Sequence, residues 1–166
     1  MAEKLNSMRL LDQQEVDYTV HEFPATIHSA DGVADYLGLA REMVYKTLVV
    51  LPVKGKPSAG TQDRPMLVIV AGNRELSLKK LAKAVGQKKV QMASHKEAEK
   101  LTGLQTGGIS ALALLHKNFD VFIDRPALDL DRILVSAGKR GVNLELPVQA
   151  LIDITQAKVI EATETK

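Results

Sequence analysis

Lys46 is the residue whose position most demands a chemical reason. It lies in the apolar run from Val44 to Val53, which reads as a strand. Side chains alternate between the faces of a strand, so Val44, Lys46, Leu48 and Val50 share one face, and Tyr45, Thr47, Val49 and Leu51 the other. An ammonium aligned with three aliphatic residues is costly to bury alone. Such a lysine reaches water along its own stem, is paired, or works in a site. A second candidate is Thr106-Gly107-Gly108-Ile109-Ser110. Adjacent glycines let the chain turn sharply and let a ligand approach backbone N–H groups, which could hold a carbonyl oxygen or an oxyanion; a plain turn after a helix is the simpler reading. Ser110 has no Gly-x-Ser-x-Gly setting and no evident base, which argues against a serine nucleophile. The third is Ser136-Ala137-Gly138-Lys139-Arg140-Gly141, either an ordinary hairpin tip or a cradle for phosphate or ribose.

Other chemistries find little support. The histidines, His21, His28, His95 and His116, lack ligand spacing, and the chain has no cysteine, so neither a catalytic metal nor a thiol nucleophile is expected. The carboxylates are scattered. Asp124, closing the apolar run Val121-Phe122-Ile123, either orients a group in the site or caps the next turn. A net charge of +2 and a pI of about 8.8 permit a phosphate-bearing partner without demanding one. The cations cluster, with Lys79, Lys80, Lys83, Lys88 and Lys89 close together and Lys139 beside Arg140. A solvated helix face explains the first group equally well. Residues 1–14 are too polar for a signal peptide, and no apolar run approaches the ~18 residues of a membrane helix. A cytoplasmic protein without membrane contact is the expectation.

The elements that must position these groups follow from periodicity and punctuation. The pattern predicts a first helix over residues 4–14 with Leu10 and Leu11 inward, and a strand at Tyr18–His21. A second helix carries Val33, Ala34 and Leu37 between Ser29 and Gly38. Met66–Ala71 is the expected partner of the Lys46 strand, across a polar loop from Lys54 to Pro65. Helices between Ser77 and Gly86 and between Ser94 and Gly103 flank a strand at Lys89–Met92. A strand at Phe119–Ile123, a hairpin of Ile133–Val135 with Val142–Leu144, a helix at Val148–Ile152 and a strand at Lys158–Ile160 complete the chain. Hairpins recur and strands do not alternate strictly with helices. A single α+β domain of 166 residues with a mixed, largely antiparallel sheet is therefore expected.

Val44-Tyr45-Lys46-Thr47-Leu48, Leu78-Lys79-Lys80-Leu81-Ala82-Lys83-Ala84, the Thr106–Ser110 loop and the Ser136–Gly141 segment occur in that order. Together they closely resemble the YbaK/EbsC family of aminoacyl-tRNA deacylases, itself related to the editing insertion of bacterial prolyl-tRNA synthetases. The likeness runs from about Val16 to Ile154 and is nearest the YbaK branch, the Cys-tRNA(Pro) deacylases. It implies a sheet curled around a pocket with flanking helices. Lys46 matches the family's key lysine; Gly107, Gly108 and Ser110 match its loop, and Ser136, Gly138 and Gly141 its hairpin. Tyr45, Thr47, Ile109, Phe23, Asn143 and Asp124 join them as candidate substrate contacts. Lys79, Lys80, Lys83, Lys139 and Arg140 are the candidate tRNA contacts.

The implied reaction uses neither cofactor nor metal. An amino-acid ester is already activated, so positioning and oxyanion stabilisation can suffice. In the YbaK branch the substrate thiol attacks its own ester; in sister branches water does. The implied partners are the acceptor end of a mischarged tRNA and a prolyl-tRNA synthetase. Three departures bear on which amino acid is accepted. Ala111 stands where the family's loop has proline, Phe23 where the branch has tyrosine, and Asn143 where it has aspartate. The alternative from another class is a catalytically silent module that binds a CCA end or a nucleotide.

Overall fold

Capping chemistry and buried stripes set the elements. A computed structural model describes residues 4–53 and 64–166. Helix α1 (Asn6–Gln13) buries Ser7, Met8 and Leu11, and is followed by β1 (Thr19–Glu22). Helix α2 (Ala30–Leu37) starts where Ser29 Oγ accepts from the Gly32 N–H and stops at left-handed Gly38. Strands β2 (Tyr45–Pro52), β3 (Met66–Ala71) and β4 (Arg74–Leu76) lead to α3 (Leu78–Val85), capped by Ser77 and ended by Gly86. After β5 (Val90–Met92), α4 (His95–Thr102) opens with a reciprocal capping box between Ser94 and Glu97 and ends at Gly103. Then come β6 (Asp120–Asp124), β7 (Arg132–Lys139), β8 (Val142–Pro147), α5 (Val148–Thr155), β9 (Lys158–Ile160) and β10 (Thr163–Thr165).

The strands form a five-stranded sheet in the order β5-β2-β3-β6-β9, a three-stranded sheet β1-β8-β7, and a ribbon of β4 with β10. Pairing is parallel at β3–β6 and β6–β9 and antiparallel elsewhere, so the mixed, largely antiparallel α+β architecture is borne out. A bridge between Val44 and Leu134 links the first two sheets. Leu67, Ile69, Ile123, Ile133, Leu144 and Leu151 fill the core between them. On the other face of the larger sheet, Leu81 and Ala82 of α3 pack on Val50, Met66, Val68 and Val70. Strand β3 is buried on both faces, which is why Met66–Ala71 reads as an unbroken apolar run.

Two details differ from the sequence reading. Strands β4 and β10 were unforeseen. Three-residue strands of Arg, Glu, Leu and Thr show no apolar alternation. The hairpin tip is tighter than Ser136–Gly141: β7 runs through Lys139, with a register shift between Ser136 and Lys139. The polar loop expected at Lys54–Pro65 falls, over residues 54–63, outside the described residues.

Candidate functional site

A cavity of about 160 Å³ opens where the start of β2, the segment before α2, the loop after α4 and the β7–β8 sheet converge. Lys46 enters it half-buried. Loss of water around the ammonium lowers its pKa from the usual lysine value; the charge of Lys166 adds to this and that of Asp31 opposes it. Lys166 is brought near by β10, and its Nζ donates to the Gly72 carbonyl at 2.8 Å, while the Gly72 N–H donates to Val44 O at 2.9 Å. Gly72 has to be glycine: a Cβ there would stand 2.2 Å from the Ala30 Cβ. As alternation requires, Tyr45 turns the other way into the core, 3% exposed, with its hydroxyl buried and unpartnered among the described residues. Burial, with the Asp124 carboxylate nearby, raises its pKa well above the ordinary phenol value.

The second wall is the loop Thr106–Ile109. The Thr106 N–H donates to Glu99 Oε2 at 2.9 Å, and Arg140 Nε donates to the Thr106 carbonyl at 2.6 Å. The Thr106–Glu99 bond also holds the Glu99 carboxyl below its usual pKa. Gly108 lets the loop lie directly on the hairpin, since a Cβ there would come within 2.9 Å of the Arg140 backbone nitrogen. The third wall is Ser136 on β7 and Asn143 on β8, directly paired in register. Ser136 Oγ accepts from the Gly138 N–H at 3.2 Å. Phe23 closes the mouth, its N–H bonded to Gly141 O at 3.0 Å.

Lys46, Phe23, Thr47, Gly107, Ile109, Ser136 and Asn143 thus meet in one cavity, which Tyr45 borders while its side chain turns into the core. Gly108, Gly138 and Gly141 shape its walls from behind. Ser110 lies outside the lining, 1% exposed, with its Oγ lacking a partner among the described residues. Asp124 is elsewhere. It accepts from the Ala162 N–H at 2.8 Å and from the Thr163 hydroxyl, with Arg74 at 3.9 Å, so it fastens the approach to β10 and neither orients a substrate nor caps the following turn. No residue of α3 lines the cavity. Lys79 and Lys83 are exposed on that helix, whereas Lys80 donates to Thr163 O at 3.3 Å and stands 3.9 Å from Glu164. Lys139 is exposed at the end of β7, and Arg140 is engaged with the loop. The sequence reading missed Ile27 and His28, which line the cavity, and Glu99, which supports it. A larger cavity of about 720 Å³ beside Val85, Phe119 and Lys158 contains none of the expected site residues.

Chemically the cavity offers one ammonium, the His28 imidazole, several hydroxyls, a carboxamide and a glycine loop. Among the described residues there is no cluster of His, Cys, Asp and Glu suited to a metal, and no helix long and apolar enough to cross a membrane. Such a site holds a polarised ligand in place.

Known proteins resemble this chain in sequence and in fold. EbsC of Enterococcus faecalis, described as a candidate Cys-tRNA(Pro)/Cys-tRNA(Cys) deacylase, is 38% identical over 163 residues, covering 97% of this chain and 94% of that protein. The proline–tRNA ligase of Limosilactobacillus fermentum is 28% identical over 101 residues, 61% of this chain and 17% of the ligase. The crystal structure of a candidate trans-editing enzyme for prolyl tRNA synthetase superposes with a TM-score of 0.77 at 22% identity, covering 98% of this chain and 99% of that one. Residues 24–154 match the aminoacyl-tRNA editing domain, a span that begins just after Phe23 and takes in every other residue lining the cavity, and the chain belongs to that family.

Proposed function

We propose that this protein is a trans-editing deacylase that frees a wrongly attached amino acid from tRNA, with Cys-tRNA(Pro) the preferred substrate and Lys46 at the centre of the site. The observation that carries the reading is the half-buried Lys46 ammonium in a cavity of about 160 Å³, which suits a small aminoacyl group. Lys46 supplies a fixed positive charge and a donor to an oxygen of the ester, ribose or phosphate. The Gly107 loop, Ser136 and Asn143 fix the acyl group against it. With cysteine, the thiol sulfur bonds to the ester carbonyl carbon and the bond from that carbon to the ribose oxygen breaks. The thiol proton ends on that oxygen, leaving a cyclic thioester and free tRNA. With other residues a water takes the sulfur's place and gives the free acid. A proline–tRNA ligase fits as partner, supplying the tRNA selection that a protein of charge +2 lacks.

The test is a panel of radiolabelled misacylated tRNAs incubated with the pure protein. Cys-tRNA(Pro) should lose its label fastest, and intact label across the whole panel would leave only a binding module.

A further inference from the structure

We propose that His28 is the proton carrier of the deacylation, taking the proton of the attacking thiol or water and passing it to the ribose oxygen that leaves. The inference rests on the deacylase reading and names the group through which the proton moves. His28 lines the cavity, and neither of its ring nitrogens has a partner among the described residues. Its chain neighbours are pinned on both sides. The Ile27 N–H donates to Pro24 O at 3.0 Å. Ser29 caps α2, its Oγ accepting from the Gly32 N–H at 3.0 Å and its carbonyl from the Val33 N–H at 3.0 Å. Gly32 keeps this corner closed, since a Cβ there would stand 2.8 Å from Ser29 Oγ and 3.0 Å from Ile27 Cγ2. The backbone is thereby set while the imidazole stays free, as a group that serves two atoms in turn requires.

The lining leaves little choice of carrier. The chain has no cysteine, and among the described residues no Asp, no Glu and no other histidine lines the cavity. Its titratable residues are His28, Tyr45 and Lys46, and the Tyr45 side chain is turned into the core. Lys46 enters as an ammonium, which has no lone pair to receive a proton. Hydroxyls and the Asn143 carboxamide keep their protons near neutral pH, whereas an imidazole both takes and gives one there. The other charges stand behind the walls. Asp31 on α2 faces Arg41 at 3.7 Å, Glu99 and Arg140 hold the Thr106 backbone, and Lys166 is bonded to Gly72. In a cavity of about 160 Å³, an ester that fills the space lies within reach of the imidazole. In the step, a lone pair of the neutral imidazole takes the thiol proton as sulfur bonds to the carbonyl carbon. The bond from that carbon to the ribose oxygen breaks, and the imidazolium returns its proton to that oxygen. With water the same path gives the free acid, and His28 again ends neutral.

The experiment measures kcat and KM for wild type, His28→Gln and His28→Ala on the misacylated tRNA that wild type cleaves fastest. Glutamine keeps hydrogen-bonding groups but carries no proton. Both variants should therefore lose about 100-fold in kcat, with KM changed by about 2-fold or less. His28 is exposed, so the gap it leaves is open to added imidazole. Free imidazole should restore His28→Ala in proportion to its concentration and leave wild type unchanged. Across ring-substituted imidazoles the restored rate should rise with their basicity. A wild-type kcat in His28→Gln would make the residue a hydrogen-bonding wall, and a His28→Ala that stays slow at every imidazole concentration would deny it the proton. Either result overturns this inference alone. Failure of wild type to cleave any ester in the misacylated panel overturns the deacylase reading with it.

Discussion

At Lys46 half-burial withdraws water from the ammonium and lowers its pKa, a cost that leaves with the side chain. Lys46→Ala should slow deacylation by about 100-fold or more, the size of effect that follows loss of a positioned electrostatic contact. Its melting temperature should hold, because the desolvation cost leaves with the charge. Near-normal turnover in a folded mutant would remove Lys46 from the chemistry. The lowered pKa gives a signed expectation as well. A lysine whose folded pKa lies below its unfolded value of 10.5 binds protons less well when folded, so stability rises with pH between the two values. Over the same rise the site loses its cation. Affinity for a non-hydrolysable aminoacyl-adenosine analogue should therefore fall at a pH below 10.5, and Lys46→Met should lack that fall. Ser110→Ala should behave oppositely to Lys46→Ala. It removes a buried hydroxyl without a described partner, so stability should stay level or rise by about 1 kcal/mol, with most activity kept. An acyl group trapped on Ser110 would show that the mechanism is wrong. These residues could be picked out in the sequence because their signals are local, a charge on an apolar strand or a glycine pair after a helix. Asp124 misled for the same reason. The end of an apolar strand looks like a site edge, and its true partners, Ala162 and Thr163, lie far along the chain.

Elements with chemical punctuation were readable from sequence. Helices α2, α3 and α4 each begin at the serine and end at the glycine that sequence indicates. Strands β4 and β10 were not, since each exists only by pairing with the other across the chain, Leu76 with Thr163. Their attachment is testable. Asp124→Ala strands the buried Ala162 N–H and leaves the Thr163 hydroxyl only its bond from Arg74, and should cost about 2 kcal/mol by denaturant titration. Turnover per folded molecule should change little, because the cavity is built from other walls. A large loss of turnover at full stability would return Asp124 to the site. Helix α3 carries its own expectation. Neutralising Lys79, Lys80 and Lys83 together should weaken every tRNA about equally and flatten the dependence of log affinity on log salt. The rate at saturation should hold. Unchanged affinity and slope would reduce those lysines to a solvated face, and Lys80 already spends part of its reach on Thr163 and Glu164.

For the whole molecule, a charge of +2 predicts weak, salt-sensitive binding that tells one tRNA from another poorly. Filter binding across several tRNAs checks this, and strong preference for one by the isolated protein would mean base contacts outside the site described. The α+β class could be read from the sequence because it depends on the kinds and order of elements; the division into three sheets could not, because it depends on which distant strands meet. One such meeting has a kinetic consequence. Thr19 pairs with Glu145 and Glu22 with Val142, so β1, made early, has in β8 its only ladder partner among the described residues. During synthesis that strand must wait, unpaired, until most of the chain has left the ribosome. High contact order of this kind slows folding toward the millisecond-to-second range and leaves a nascent strand edge open to the wrong neighbour. Phe23, hydrogen-bonded to Gly141 just beyond β1, joins the cavity only in that final closure, so the pocket proposed for editing is among the last parts of the molecule to exist.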